Sequence, residues 1–148
     1  MEISRKTFSL GNRWCVHSYY TLNPFAPDGS GRMLASGCDF ETGIGEVLLL
    51  DADGNILEAF GRQKISPSFY HTGFWQAWGS DGNTVYYSAS DGDPLHPKVA
   101  VRNLATGEER ICDGDMEGAP KFGEPIAYGL HAMLYAAGYG DGKYKPEL

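Results

Sequence analysis

The sequence predicts an all-β chain made of repeated four-stranded antiparallel units. Three observations carry that expectation. Short β-rich runs alternate with turn signals, the composition favours turns and rings, and several segments recur at a period of about 52 to 54 residues. The 148 residues include 20 Gly and 8 Pro, and 13% are aromatic, a balance typical of many short strands joined by tight turns.

The runs come in order. "GRMLASGCD" (31–39) is apolar and bounded by glycines, and "GEVLLLDADG" (45–54) ends in an Asp-Gly turn. "NILEAFGR" (55–62) alternates Ile56, Glu58 and Phe60 against Leu57, Ala59 and Gly61. "TVYYSAS" (84–90) and "KVAVRNL" (98–104) are β-rich, and "EERICDGD" (108–115) is a weaker third. "AYGLHAMLYAAG" (127–138) is the one stretch with a case for helix, and Gly129 and Gly138 weaken it.

Three segments then repeat in one order. "APDGSGRMLASGCD" (26–39) aligns with "GSDGNTVYYSASD" (79–91), and "VLLLDADGNILEAFG" (47–61) aligns with "VAVRNLATGEERICD" (99–113). Upstream, "HSYYTLNPF" (17–25) aligns with "HTGFWQAWG" (71–79). The offset is 54 between His17 and His71, 53 between Asp28 and Asp81, and 52 between Asp39 and Asp91. A further copy begins at "GEPIAYGLHAMLYAAGYGDG" (123–142) and stops after its second strand.

A period of this size with four strands per unit predicts β-propeller blades. The expected organisation is a remnant over 1–14, blades over 15–62 and 63–115, and an incomplete blade over 116–148. That is about three blades, half of a ring of roughly six to eight. The first blade would place its inner strand at about 19–26 and the next three at 32–38, 46–51 and 55–61. The second would place its four at 73–79, 84–90, 98–103 and 108–113, and "ISRKTFSL" (3–10) would be an outer strand of a preceding blade.

"NPFAPDGSGRMLAS" (23–36) resembles the Pro-Asp-Gly repeat of TolB-like β-propellers. In its fuller context, from His17 to Gly54, it is similar to the first blades of oligogalacturonate lyase-like propellers. The resemblance covers about residues 15–115. It implies a carbohydrate-active protein that cleaves uronate oligosaccharides by β-elimination in the cytoplasm, with manganese as the metal it suggests. The family's catalytic and metal-binding histidines come mostly from later blades, so no catalytic residue can be assigned. The alternative is a TolB-like binding module that holds a protein or sugar without chemistry. Half a ring would be completed by copies of the chain or by further blades, because each blade needs a neighbour over its broad face.

Blade geometry sorts residues by rim. The Asp-Gly turns at Asp28 and Asp81 fall on one rim, where Gly supplies positive φ and Asp bonds its own backbone. The other rim collects His17 and His71 with the loops after the second strands, "CDFETGIG" (38–45) and "SDGDPLHPK" (90–98). The ligand-binding candidates are therefore His17, Tyr20, His71, Trp75, Asp39, Asp91 and Glu124, a polar pocket with aromatic walls. For lyase chemistry a base must remove the proton α to a carboxylate and a cation must stabilise the enolate. His17 or His71 could be the base or hold a metal, and Arg13, Lys98 and Lys143 are the cations near that rim.

Charge and cysteine usage bound the rest. A formal charge of −7 argues against nucleic acid as a partner. Cys15, Cys38 and Cys112 make an odd count with no C-x-x-C spacing, the pattern of free thiols in a reducing compartment. The N-terminal stretch has no apolar core of a signal peptide and the longest aliphatic run is Val47–Leu50, so a cytoplasmic protein without membrane spans is expected.

Overall fold

The computed structural model describes residues 5–8, 10–20, 22–89, 97–114 and 116. They form two four-stranded antiparallel sheets and a single turn of helix, so the all-β expectation holds. The first sheet takes β1 (Trp14–Val16), β2 (Met33–Asp39), β3 (Ile44–Leu50) and β4 (Ile56–Lys64) in sequence order. After α1 (Phe69–Thr72), the second takes β5 (Ala77–Trp78), β6 (Thr84–Ala89), β7 (Lys98–Asn103) and β8 (Glu109–Asp113).

Six of the eight strands match the expected runs to within a few residues. The first inner strand does not. In place of a strand over 19–26, β1 pairs along the second half of β2, from Trp14 with Cys38 to Val16 with Ser36, and Phe25 bridges Met33 at its first residue. Residues 17–20, 22 and 23 lie outside the sheet between these two pairings. The Leu22 amide bonds the Tyr19 carbonyl in a tight turn, and Ser18 takes φ 127, an angle rare outside glycine. The Asn23 side chain then accepts the Phe25 amide and Pro24 offers its carbonyl to Leu34, which returns the chain to β2. Residues 5–8 and 10, expected in an outer strand, lie in no strand.

The sheets pack face to face. Leu34 and Cys38 of β2, Val47 and Leu49 of β3 and Phe60 of β4 meet Trp78, Val85, Tyr87 and Ala100 of the second sheet. Phe69 and Phe74 from the connection complete this core. Gly61 adopts φ 65 in β4, and a methyl group there would lie 2.5 Å from the Tyr87 ring, so the strand backbone itself lies on that ring. On the opposite face of the first sheet, Ala35, Leu48 and Leu50 pack with Met33 and Leu10. On the opposite face of the second, Ala77, Tyr86 and Val99 pack with Leu22, Val101 and Met116.

Polar contacts fasten the two sheets at both ends. Arg32 donates to Asp28 Oδ2 and to the Gly82 carbonyl, each at 2.7 Å, and lies over the Trp78 ring. Trp78 Nε1 in turn donates to the Pro24 carbonyl at 2.8 Å. The Asp-Gly turns of consecutive repeats are thus joined through one guanidinium. Towards the outer strands, Arg102 pairs with Glu58 across the sheets and covers the Phe60 ring. The Tyr87 hydroxyl donates to Glu109 at 2.6 Å.

Candidate functional site

The 17–23 excursion and the segment from α1 to β5 meet at one edge of the sheets. Their meeting is built on a buried polar network. Gln76 Oε1 accepts from the Ser36 hydroxyl at 2.7 Å and from the Phe74 amide at 3.1 Å. Its Nε2 donates to the His17 carbonyl at 2.6 Å. The buried Ser18 hydroxyl donates to the Thr72 carbonyl at 3.1 Å. A buried amide with its partners supplied on both sides rigidifies whatever it ties together.

Gly73 closes α1 at φ 57 and makes that packing possible. A methyl group there would lie 2.7 Å from Ser36 Oγ and 2.9 Å from Gln76 Oε1. The chain then turns through Trp75 at φ 55, an outlier for so bulky a residue. Ser18 and Trp75, the non-glycine residues with positive φ among those described, flank the same cluster. Such strain persists only where surrounding structure over-determines it, and it concentrates at functional sites.

Above the network sits a group of rings. Tyr19 lies 4.3 Å from Tyr20, 5.1 Å from Trp75 and 6.2 Å from His71, centroid to centroid. Tyr70 stacks at 4.5 Å on His71. Tyr20 is 78% exposed and Tyr70 69%, whereas Trp75 is half-buried. The group is a surface of aromatic faces with an imidazole among them, and flat polar-edged ligands suit it.

The sequence-predicted candidates divide accordingly. Tyr20, His71 and Trp75 come together. His17 is exposed nearby, held by its carbonyl, while the ring contacts run through His71. Asp39 belongs elsewhere. It ends β2, and its Oδ1 accepts the Glu41 amide at 2.8 Å and the Thr42 amide at 3.4 Å. The Glu41 amide is the main cause that holds its carboxyl below the usual range, and the Thr42 bonds and the nearby Arg62 charge act in the same direction. Asp91 and Glu124 lie outside the described residues, as do Lys143 and the 127–138 stretch.

Tyr70, Gln76 and Ser36 escaped the sequence reading. Tyr70 had a signal, since it precedes the repeated histidine. Gln76 and Ser36 had none, because their role exists only where β2 and β5 approach. Phe74, next to Trp75 in the chain, is 5% exposed and belongs to the inter-sheet core. Among the described residues no three His, Cys, Asp or Glu side chains converge, so they offer manganese no ligand set. No family model, no curated protein and no solved structure matches the chain.

Proposed function

We propose that the chain supplies consecutive blades of a β-propeller whose aromatic edge binds a carbohydrate. The observation that carries the ligand proposal is the ring cluster of Tyr19, Tyr20, Tyr70, His71 and Trp75 on a rigid buried network. Sugars present apolar C–H faces and polar edges, and exposed rings of fixed orientation meet both. The propeller proposal is supported by two sheets of identical order that pack in sequence, with residues one period apart on the same face. Further blades or second copies of the chain complete the ring, and the protein works in the cytoplasm.

The ligand class we propose is a uronate oligosaccharide, by the resemblance of residues 15–115 to oligogalacturonate lyase-like propellers. A lyase reading is favoured by the position of His71 inside the ring cluster. There the imidazole would take the proton α to the carboxylate. The bond from the β carbon to the leaving sugar oxygen would break, that oxygen would leave as a hydroxyl with a proton from water, and the imidazolium would return its proton to solvent, so that an unsaturated ring remains.

Intrinsic tryptophan fluorescence titrated with oligogalacturonates and with neutral oligosaccharides tests binding. Saturable binding should weaken about tenfold in Tyr20→Ala, the equivalent of roughly 1.4 kcal/mol of lost stacking. Equal affinity in wild type and Tyr20→Ala would remove the cluster from the site. Appearance of unsaturated-product absorbance, abolished in His71→Ala, selects the lyase over the binding module.

A further inference from the structure

We propose that a cleft on the first sheet, between Arg13, Arg62 and Asp39, is a second binding site, and that it takes a single neutral sugar ring or cyclic polyol. The cleft holds about 270 Å³ and is lined by the residues just before β1, by β2 and β3 on either side of the 39–43 turn, and by Arg62 of β4. It falls just below the roughly 300–1,000 Å³ of ordinary ligand pockets, which suits one ring and no longer chain. Gly37 leaves bare backbone at its floor, and a methyl group there would meet Leu48 at 2.9 Å and Arg13 at 3.0 Å.

Its polar groups come in opposed pairs. Arg13 turns Nε and Nη2 to Glu46 Oε1, at 3.1 and 2.9 Å, which leaves its Nη1 for another acceptor. Arg62 makes no ion pair or hydrogen bond among the described residues, although its charge is felt at Asp39. Asp39 accepts the turn amides of Glu41 and Thr42 at Oδ1. Asn12 adds an amide that donates and accepts. Two arginines against Asp39 and Glu46 leave the lining near neutral, so an anion gains little there. A ring hydroxyl both accepts and donates, and adjacent hydroxyls match a guanidinium beside a carboxylate.

Trp14 and Phe40, whose rings meet edge to face at 5.7 Å, are not among the residues that line the cleft. None of these residues belongs to the Tyr19–Trp75 cluster, so the site stands or falls separately from the function proposed above.

Saturation-transfer NMR with galactose, glucose, myo-inositol, glycerol and galacturonate tests the assignment. Wild type should bind at least one of the neutral rings with a Kd of ~1–10 mM. Arg62→Ala, at an exposed position, should weaken it tenfold or more with unchanged circular dichroism, and Trp14→Ala and Tyr20→Ala should leave it intact. The assignment is overturned if no neutral ring binds at ~50 mM. It is equally overturned if glycerol binds as well as the rings, if galacturonate alone binds, or if Arg62→Ala binds like wild type.

Discussion

Gly73→Ala measures how firmly the buried network holds the aromatic edge. Two costs follow from the structure. Gly73 occupies φ 57 and ψ −132, a combination open almost only to glycine, and an alanine there costs about 1–3 kcal/mol. The added methyl group would also stand 2.7 Å from Ser36 Oγ, 2.9 Å from Gln76 Oε1 and 3.0 Å from Ser36 Cβ. Neither side chain is the free end of a flexible arm, because Ser36 is fully buried in β2 and Gln76 is tied at both ends of its amide. One of them must leave its bonds, and the Phe74 amide, which uses both oxygens, loses a partner. A buried group stripped of its hydrogen bond costs about 1–3 kcal/mol. The expected loss is about 2–6 kcal/mol, read from urea denaturation with an unchanged m value.

Gly29→Ala is the internal control. Gly29 has φ 73 and nothing within 4 Å of an added methyl group, so it carries the backbone cost alone, about 1–2 kcal/mol. The difference between the two variants isolates the network. If Gly73→Ala costs no more than Gly29→Ala, the Ser36–Gln76–His17 linkage is not what holds the excursion in place.

Other perturbations probe the contacts between sheets. Arg32→Ala removes the bonds to Asp28 and the Gly82 carbonyl and uncovers Trp78, and should cost about 1–2 kcal/mol with faster amide exchange at residues 82–84; unchanged exchange there argues against the latch. The Ser30 hydroxyl and amide, with Arg32, hold the Asp28 carboxyl at about 2, below its ordinary 3.8. Its stabilising effect is therefore complete above the ordinary value and is lost as pH falls through about 2, so Asp28→Asn should flatten the acid limb of the stability profile. An equally steep limb in the variant refutes the assignment. Burial, then the bond to Glu109, raises the Tyr87 phenol above its ordinary 10.0. Its contribution persists below that value and fades as pH rises beyond it. Tyr87→Phe should cost about 1–2 kcal/mol at neutral pH and lose part of the alkaline decline, measured by urea denaturation across the alkaline range; an unchanged alkaline limb would count against the bond.

Much of the fold was legible because its determinants are local. Asp28 and Asp81 each bind the amide two residues on, and those turns delimit β2 and β6. Asp39 does the same with Glu41, so its role as a turn former could be read from the sequence beside it. The first inner strand was illegible because what breaks it is distant. Ser18 is held by Thr72, 54 residues away, and the Val16 and His17 carbonyls by Gln76, 60 and 59 away. A local reading sees only an aromatic-rich run over 19–26 and extends it as a strand. The candidate site divides in the same way. Sorting loops by edge brought Tyr20, His71 and Trp75 together, while Gln76, Ser36 and the cleft around Arg62 depend on contacts that no spacing in the sequence encodes.

The burial pattern of β3 bears on the proposed stacking of blades. In a two-sheet sandwich each strand alternates a buried and a solvated residue. Val47, Leu48, Leu49 and Leu50 are all buried. Val47 and Leu49 meet the second sheet, while Leu48 and Leu50 meet Ala35 and Leu10 on the other side. The second sheet repeats the arrangement. Tyr86 and Val99, one period after Leu34 and Val47, face away from the first sheet and pack with Met116. Each sheet therefore buries apolar residues on both of its faces. That pattern suits the proposed stack of blades, in which every sheet has a neighbour on each side, better than a two-sheet sandwich. The segment before Phe25 reaches across the same stack, because Tyr19 joins the ring cluster beside α1 while Leu22 packs on the far face of the second sheet.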